Sequence, residues 1–333
     1  MTESFVIRPR GATAVTDASQ APMSVDAAFG PLAVHCADNE VTDIFVNGAA
    51  GLFVDRGHGA EPVPAWVASE REVRDLAVAL VGLGGRHLDD QAPCVDVRLA
   101  SGIRVHAVLA PVSTSGTALS IRIPRVRAAD LDALAALGAF DPRQQAWLMQ
   151  LVAERANVLI TGGTGTGKTT LLSALLTEAP AAERIVTIED VAELRPRHPH
   201  HVSLEARQAN LEGAGGISLA RLVRESLRMR PDRLVVGECR GEEVRELLTA
   251  LNTGHDGGAG TLHASGLFDV PARLEALGAL AGMDATALAR QVVSAFTVVL
   301  HLARAPGGAR RIAQAGRFIL VGERLGIEEV RPW

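Results

Sequence analysis

Between residues 157 and 172 the chain reads Asn157-Val158-Leu159-Ile160, then Thr161-Gly162-Gly163-Thr164-Gly165-Thr166-Gly167-Lys168-Thr169-Thr170, then Leu171-Leu172. A short apolar strand, a glycine-rich turn and an apolar helix follow one another without a gap. Gly162 to Thr169 fits G-x-x-x-x-G-K-[ST] in the strand-to-helix context that gives this motif its meaning. Glycines let backbone N–H groups curl around a phosphate, and the helix N-terminus adds its dipole. Lys168 supplies a point charge, and Thr169 offers a hydroxyl to Mg2+. Of the 33 basic residues, Lys168 is the only lysine. A coding bias toward Arg, Ala and Gly accounts for its scarcity elsewhere and makes the one retained more telling. Gly163, Thr164, Gly165, Thr166, Gly167, Lys168, Thr169 and Thr170 are therefore the candidate phosphate cradle.

The pattern on either side sets the architecture. After the motif, strand-like runs at Ile185 to Glu189, Leu234 to Gly237 and Gly260 to His263 alternate with helical patterns at Ser218 to Met229 and Glu242 to Asn252. Such alternation predicts a parallel sheet with helices on both faces. Asp141-Pro142 caps a helix running through Trp147 to Glu154. The run Val292 to Leu302 and the strand at Arg310-Arg311-Ile312, joined by Pro306-Gly307-Gly308, read as a closing hairpin. Upstream, strands at Asp43 to Gly48, Leu52 to Val54, Cys94 to Leu99, Arg104 to Leu109 and Ala118 to Ile123 surround an amphipathic helix at Glu70 to Leu83. This gives a flexible tail over 1–24, an α+β domain over 25–124, a linker turning into a short helix over 125–140, and an α/β P-loop domain over 141–333.

Composition narrows the function. With 47% hydrophobic residues the chain can bury a sizeable core. A net charge of −5, 3% aromatic residues and no Tyr argue against phosphate contacts and base stacking on nucleic acid. Apolar runs fall short of the roughly 20 residues of a membrane span, and the first ten residues lack a signal-peptide core, which predicts a cytosolic protein. Cys36, Cys94 and Cys239, odd in number and widely spaced, read as reduced core residues. A guanine-reading N-K-x-D motif needs a second lysine, and the transporter signature LSGGQ is absent, so adenine is the expected base.

Three more constellations accompany the loop. Arg233-Leu234-Val235-Val236-Gly237-Glu238 is an apolar strand leading to an acid, and Ile185-Val186-Thr187-Ile188 leads to Glu189-Asp190 and Glu193. Ligands gather at the carboxyl ends of parallel strands, which brings Glu189 and Glu238 toward the same phosphates. Thr253-Gly254-His255 and Thr261-Leu262-His263-Ala264 complete the set. In this order they resemble the Walker A, Asp box, Walker B and His box of the type II/type IV secretion ATPases. Val41-Thr42-Asp43-Ile44, Pro93 to His106 and Leu119-Ser120-Ile121-Arg122 resemble the CpaF-like branch, the tight-adherence (Tad) pilus assembly ATPases. The likeness spans about Gly30 to Glu323; the tetracysteine zinc motif of some type II relatives is absent.

The resemblance implies a RecA-like motor, a smaller N-terminal domain and a homohexameric ring. It further implies ATP-driven movement beneath an inner-membrane pilus or secretion platform, with the protein peripheral on the inner face of the cell membrane. ATP and Mg2+ are the implied cofactors. Two carboxylates are needed, one to help hold metal and one to orient or deprotonate water. Glu238 is assigned to water and, with Thr169, to metal; Glu189 is assigned to support, and the two are open to exchange. His263 is the expected phosphate neighbour. His255 reads either as a second nucleotide contact or as a hydrogen-bonded residue away from it. Arg104 and Arg122 match family arginines that reach over the nucleotide. Arg221, Arg224 and Arg228 share a helix face that turns either to nucleotide, with Arg228 the candidate, or to a salt-bridged surface. His198, His200 and His201 read as a loop rather than a metal site. A conjugation-type transfer ATPase, and a nucleotide-gated ring with little turnover, are the rival functions.

Overall fold

A computed structural model describes residues 28–57, 59–99, 102–123, 130–207, 215–305 and 308–333. The tail over 1–24 lies outside the described residues. The chain divides into two compact units, 1–125 and 126–333.

In the first unit, strands β1 (Asp43–Asn47), β2 (Leu52–Asp55), β3 (Ala60–Pro62), β4 (Cys94–Arg98), β5 (Arg104–Val108) and β6 (Ala118–Arg122) form one antiparallel sheet in the order β3-β2-β1-β6-β5-β4. A short helix, α1 (Ala33–Ala37), precedes the sheet. Period-2 alternation sends Ile44, Val46, Val105, Ala107, Leu119 and Ile121 to one face. There they meet Val73, Ala77, Leu80 and Val81 of α2 (Glu70–Leu83). A capping box between Ser69 and Glu72 starts that helix. Arg98, Arg104 and Arg122 stand side by side across β4, β5 and β6 on the other face.

The second unit opens with α3 (Leu131–Ala136), capped by Asp130, and α4 (Pro142–Ala153), which has a capping box between Asp141 and Gln144. Then come β7 (Val158–Gly162), α5 (Lys168–Thr177), β8 (Ile185–Glu189), β9 (His201–Glu205), α6 (Leu219–Ser226), β10 (Arg233–Val236), α7 (Glu243–Leu251) and β11 (Ala259–His263). Helices α8 (Val270–Leu280) and α9 (Ala285–Ala295) lead to β12 (Val298–Arg304), β13 (Arg310–Val321) and β14 (Arg324–Val330). The sheet order is β14-β13-β12-β7-β11-β10-β8-β9, with β12 to β9 parallel and the last two strands antiparallel. Val158 and Ile160 pack toward α3, α4 and α5, while Leu159 packs toward α6 to α9. Helices thus cover both faces, which is why β7, β8 and β10 are buried along their whole length.

Four expectations are corrected. Residues 130–140 are core of the second unit rather than spacer, because Leu131 and Phe140 are buried against Leu148 and Leu172. The run from Val292 ends a helix before it becomes a strand: the Asn157 amide donates to the Ala295 carbonyl at 2.8 Å and stops α9 there. His201 begins a strand, and its Nε2 pairs with the Thr187 hydroxyl at 2.9 Å. Among the cysteines only Cys239 is buried, and Cys94 is exposed.

Leu131→Ala should lower unfolding stability by about 2–5 kcal/mol, the usual loss for truncating a buried leucine. Urea unfolding checks this, and an unchanged midpoint would return 130–140 to the status of a linker.

Candidate active site

The phosphate loop is built by where its glycines stand. Gly162 (φ 150°), Gly165 (φ 69°) and Gly167 (φ 96°) occupy backbone regions costly for other residues. A Cβ at Gly162 would lie 2.5 Å from the Leu302 carbonyl oxygen, so the adjacent strand β12 leaves no room for one. The loop turns tightly enough to deliver Lys168 as the first residue of α5, with Thr169 and Thr170 in its first turn.

Lys168 is buried at 7% exposure. Its ammonium donates to the carbonyls of Gly162 at 3.0 Å and Gly163 at 2.9 Å, and lies 3.4 Å from His263 Nδ1. Burial pulls it below the ordinary lysine value, and the Glu238 carboxylate opposes that shift. His263 ends β11, in register with Gly162 at the end of β7. Its Nε2 lies 2.9 Å from Glu238 Oε1. A neutral imidazole satisfies both neighbours, accepting from Lys168 at Nδ1 and donating to Glu238 at Nε2. Desolvation, and then the Lys168 charge, hold His263 below its usual value, which keeps that form at neutral pH.

The two carboxylates sit differently. The Glu238 side chain is 43% exposed. Glu189 is 4% exposed, and its oxygens accept the backbone N–H groups of Glu193 at 3.0 Å and Leu194 at 3.1 Å. Burial pushes Glu189 up to about 7 against the pull of those amides. Gly237 makes this packing possible: a Cβ there would stand 2.4 Å from Glu189 Cγ. Thr261 donates to the Gly237 carbonyl at 2.6 Å, tying β11 to the turn that carries Glu238. Arg240 pairs with Asp190 at 2.6 Å, and Glu243 accepts the N–H groups of Arg240 at 2.6 Å and Gly241 at 2.8 Å.

Lys168, His263 and Glu238 are linked by contact at the carboxyl end of the parallel strands, while Glu189 packs against Gly237 at the end of β8 and Thr169 follows Lys168 in the first turn of α5. His255 and Arg228 do not join them within the chain. His255 stands before β11, at the opposite edge, where its Nδ1 donates to the Ala250 carbonyl at 3.2 Å. Arg228 lies before β10 at that same far edge, 75% exposed and paired with Glu225. Arg224 pairs with Glu246 at 2.8 Å, so this helix face is a salt-bridged surface. Arg104 and Arg122 belong to the first unit, and Arg104 lies 3.7 Å from Asp96.

Sequence reasoning missed Arg304 and Arg310 at the loop, which the antiparallel pairing of β12 with β13 sets opposite each other.

A family model described as type II/IV secretion system protein matches residues 27–321. The chain belongs to that family. A putative conjugal transfer protein of Mycobacterium tuberculosis is 52% identical over 279 residues, 82% of this chain and 79% of that protein. The conjugal transfer protein TrbB of Rhizobium radiobacter is 32% identical, over 84% of each. The ATPase DotB of Legionella pneumophila superposes with a TM-score of 0.57 at 19% identity, covering 93% of this chain and 82% of that one. The fold is the expected α/β one, a RecA-like P-loop domain with a smaller α+β N-terminal domain.

The residues present fit a nucleotide, since the cradle is one that side chains would fill and its charge comes from Lys168. They also fit Mg2+, which takes one or two protein oxygens plus substrate phosphates. Thr169 and Glu238 are the candidates. Among the described residues no cluster of three His, Cys, Asp or Glu would hold a metal without such help.

Glu189 gives a pH signature. Its folded value lies above the ordinary 4.5, so the folded protein keeps a proton that the unfolded chain has released. Stability should therefore fall as pH rises from about 4.5 to about 7, and then level off. Glu189→Gln should remove that fall; urea midpoints at about pH 5 and about pH 8 measure it, and an unaltered pH slope would show that Glu189 is not the group responsible.

Proposed function

We propose that the chain is a Mg2+-dependent ATP-hydrolysing motor that works as a homohexamer to drive pilus assembly or protein secretion, in the manner of the CpaF-like branch. One observation carries the chemistry: the exposed Glu238 carboxylate, at a strand end, is linked through His263 to the chain's only lysine.

Lys168 and the backbone N–H groups of residues 164–169 hold the phosphates, with the α5 N-terminus aimed at them. Bound Mg2+ supplies charge that favours attack on the γ-phosphate. Glu238, free on its exposed side, orients the water and takes its proton. His263 holds Glu238 in place and reports the phosphate end of the site to it through Lys168. Glu189, its oxygens committed to Glu193 and Leu194, shapes the Gly237 turn rather than meeting water. Arg104 and Arg122 act, as the family resemblance implies, as arginines that neutralise phosphate charge once the ring assembles.

The partner is a membrane platform protein, with the motor peripheral on the inner face of the membrane. Among the described residues no helix is long and apolar enough to cross a bilayer. A conjugation-type transfer motor is the second reading, favoured by the names of the 52% and 32% identical relatives. The membrane protein that co-purifies separates the two.

Steady-state phosphate release against protein concentration tests the core of this reading. Specific activity should rise with concentration; a flat line removes the ring from the proposal, and negligible turnover throughout favours a nucleotide-gated ring. Lys168→Ala should abolish turnover and weaken nucleotide binding. Glu238→Gln should still bind nucleotide, with turnover down on the order of 10²-fold or more. Normal turnover in Glu238→Gln together with loss in Glu189→Gln would swap the two roles.

A further inference from the structure

The ends of β12 and β13 place Arg304 directly across from Arg310. Side chains at such a pair project to one face with Cβ atoms about 5 Å apart, where like charges destabilise the sheet. Among the described residues neither arginine forms an ion pair with a carboxylate. The Arg304 guanidinium instead donates from Nε and Nη2 to one acceptor, the Gly165 carbonyl, at 3.2 and 3.0 Å. A Cβ at Gly165 would lie 2.8 Å from Arg304 Nη2, and one at Gly167 would lie 3.3 Å from Arg310 Cδ. The two side chains thus lie over the two left-handed glycines of the phosphate loop. Partial desolvation and the Arg304 charge both act against the Arg310 cation.

We propose that Arg304 and Arg310 form an anion clamp on the outside of the phosphate loop, Arg304 as a positioning residue and Arg310 as a direct contact to the phosphates of a nucleoside di- or triphosphate. This rests on the nucleotide-site reading above. The trans peptide plane makes the first part mechanical: with the Gly165 carbonyl held outward by Arg304, the Thr166 N–H points the opposite way, into the cradle. The second part follows from charge. Two facing cations beside an anion cradle oppose one another, and charge-assisted hydrogen bonds from Arg310 to a bound phosphate offset that repulsion. Positive charge reaches the phosphates from two sides, from Lys168 within the loop and from the hairpin outside it.

The test is calorimetric titration of the full chain with ADP, paired with melting temperatures measured without nucleotide. Arg310→Gln and Arg310→Glu should weaken ADP binding on the order of tenfold or more, the size of one charge-assisted contact, and Arg310→Lys should keep most of it. Arg310→Glu should melt no lower than the parent protein, because Glu facing Arg304 turns a like-charge pair into an opposite-charge one. Arg304→Gln should raise KM for ATP with kcat little changed. ADP binding within twofold of the parent in both Arg310→Gln and Arg310→Glu overturns the clamp. So does binding loss matched by a large fall in melting temperature in every Arg310 variant, which would make the residue structural. Lys168→Ala separates the two layers: if it loses binding while the Arg310 variants do not, only the clamp fails. If it binds ADP normally, the nucleotide-site reading fails and the clamp with it.

Discussion

A neutral imidazole joins the chain's single ammonium to an exposed carboxylate, and the rest of the site is arranged around that contact. Lys168 reaches His263 from the phosphate loop, and His263 reaches Glu238 from the end of the neighbouring strand. The chain of contacts exists because β11 lies between β7 and β10 in a fixed register, His263 opposite Gly162. A one-residue slip would turn His263 to the other face of the sheet and leave Lys168 and Glu238 unconnected. Burial of the strand interiors on both faces is what makes such a slip costly, so the apolar core holds the chemistry in register.

The two acids illustrate how environment divides labour between similar groups. Glu189 is buried, its charge opposed by desolvation and its oxygens taken by backbone amides. Glu238 is two residues beyond the strand next door and keeps a solvent-facing side. Gly237 separates them, and only a glycine fits against Glu189 there. The Asp190–Arg240 pair and the Glu243 cap then brace the turn that presents Glu238. In the proposed mechanism this bracing keeps the base still while the subunits around it move.

What the sequence made legible was local. The strand, glycine turn and helix around Lys168 announce themselves within sixteen residues, and Asp141 before Pro142 marks a helix start that the structure has. What it concealed depends on contacts distant along the chain. β9 looked like a His- and Pro-rich loop because its pairing with β8 is invisible from within it. Leu131 and Phe140 sat in an alanine-rich stretch without a clear period, yet both are core. His255 and His263 share one motif and end at opposite edges of the sheet, since the length of β11 separates them. Arg304 and Arg310 meet only because a hairpin closes between them.

The central claim is that His263 and Glu238 act as one coupled unit. A double-mutant cycle on turnover at saturating ATP, with His263→Ala, Glu238→Gln and the pair, measures that coupling directly. The expected result is that the double variant loses little more than Glu238→Gln alone, a coupling on the order of 1–2 kcal/mol. Losses that simply multiply would contradict it, and His263 would then be a bystander beside an independent carboxylate.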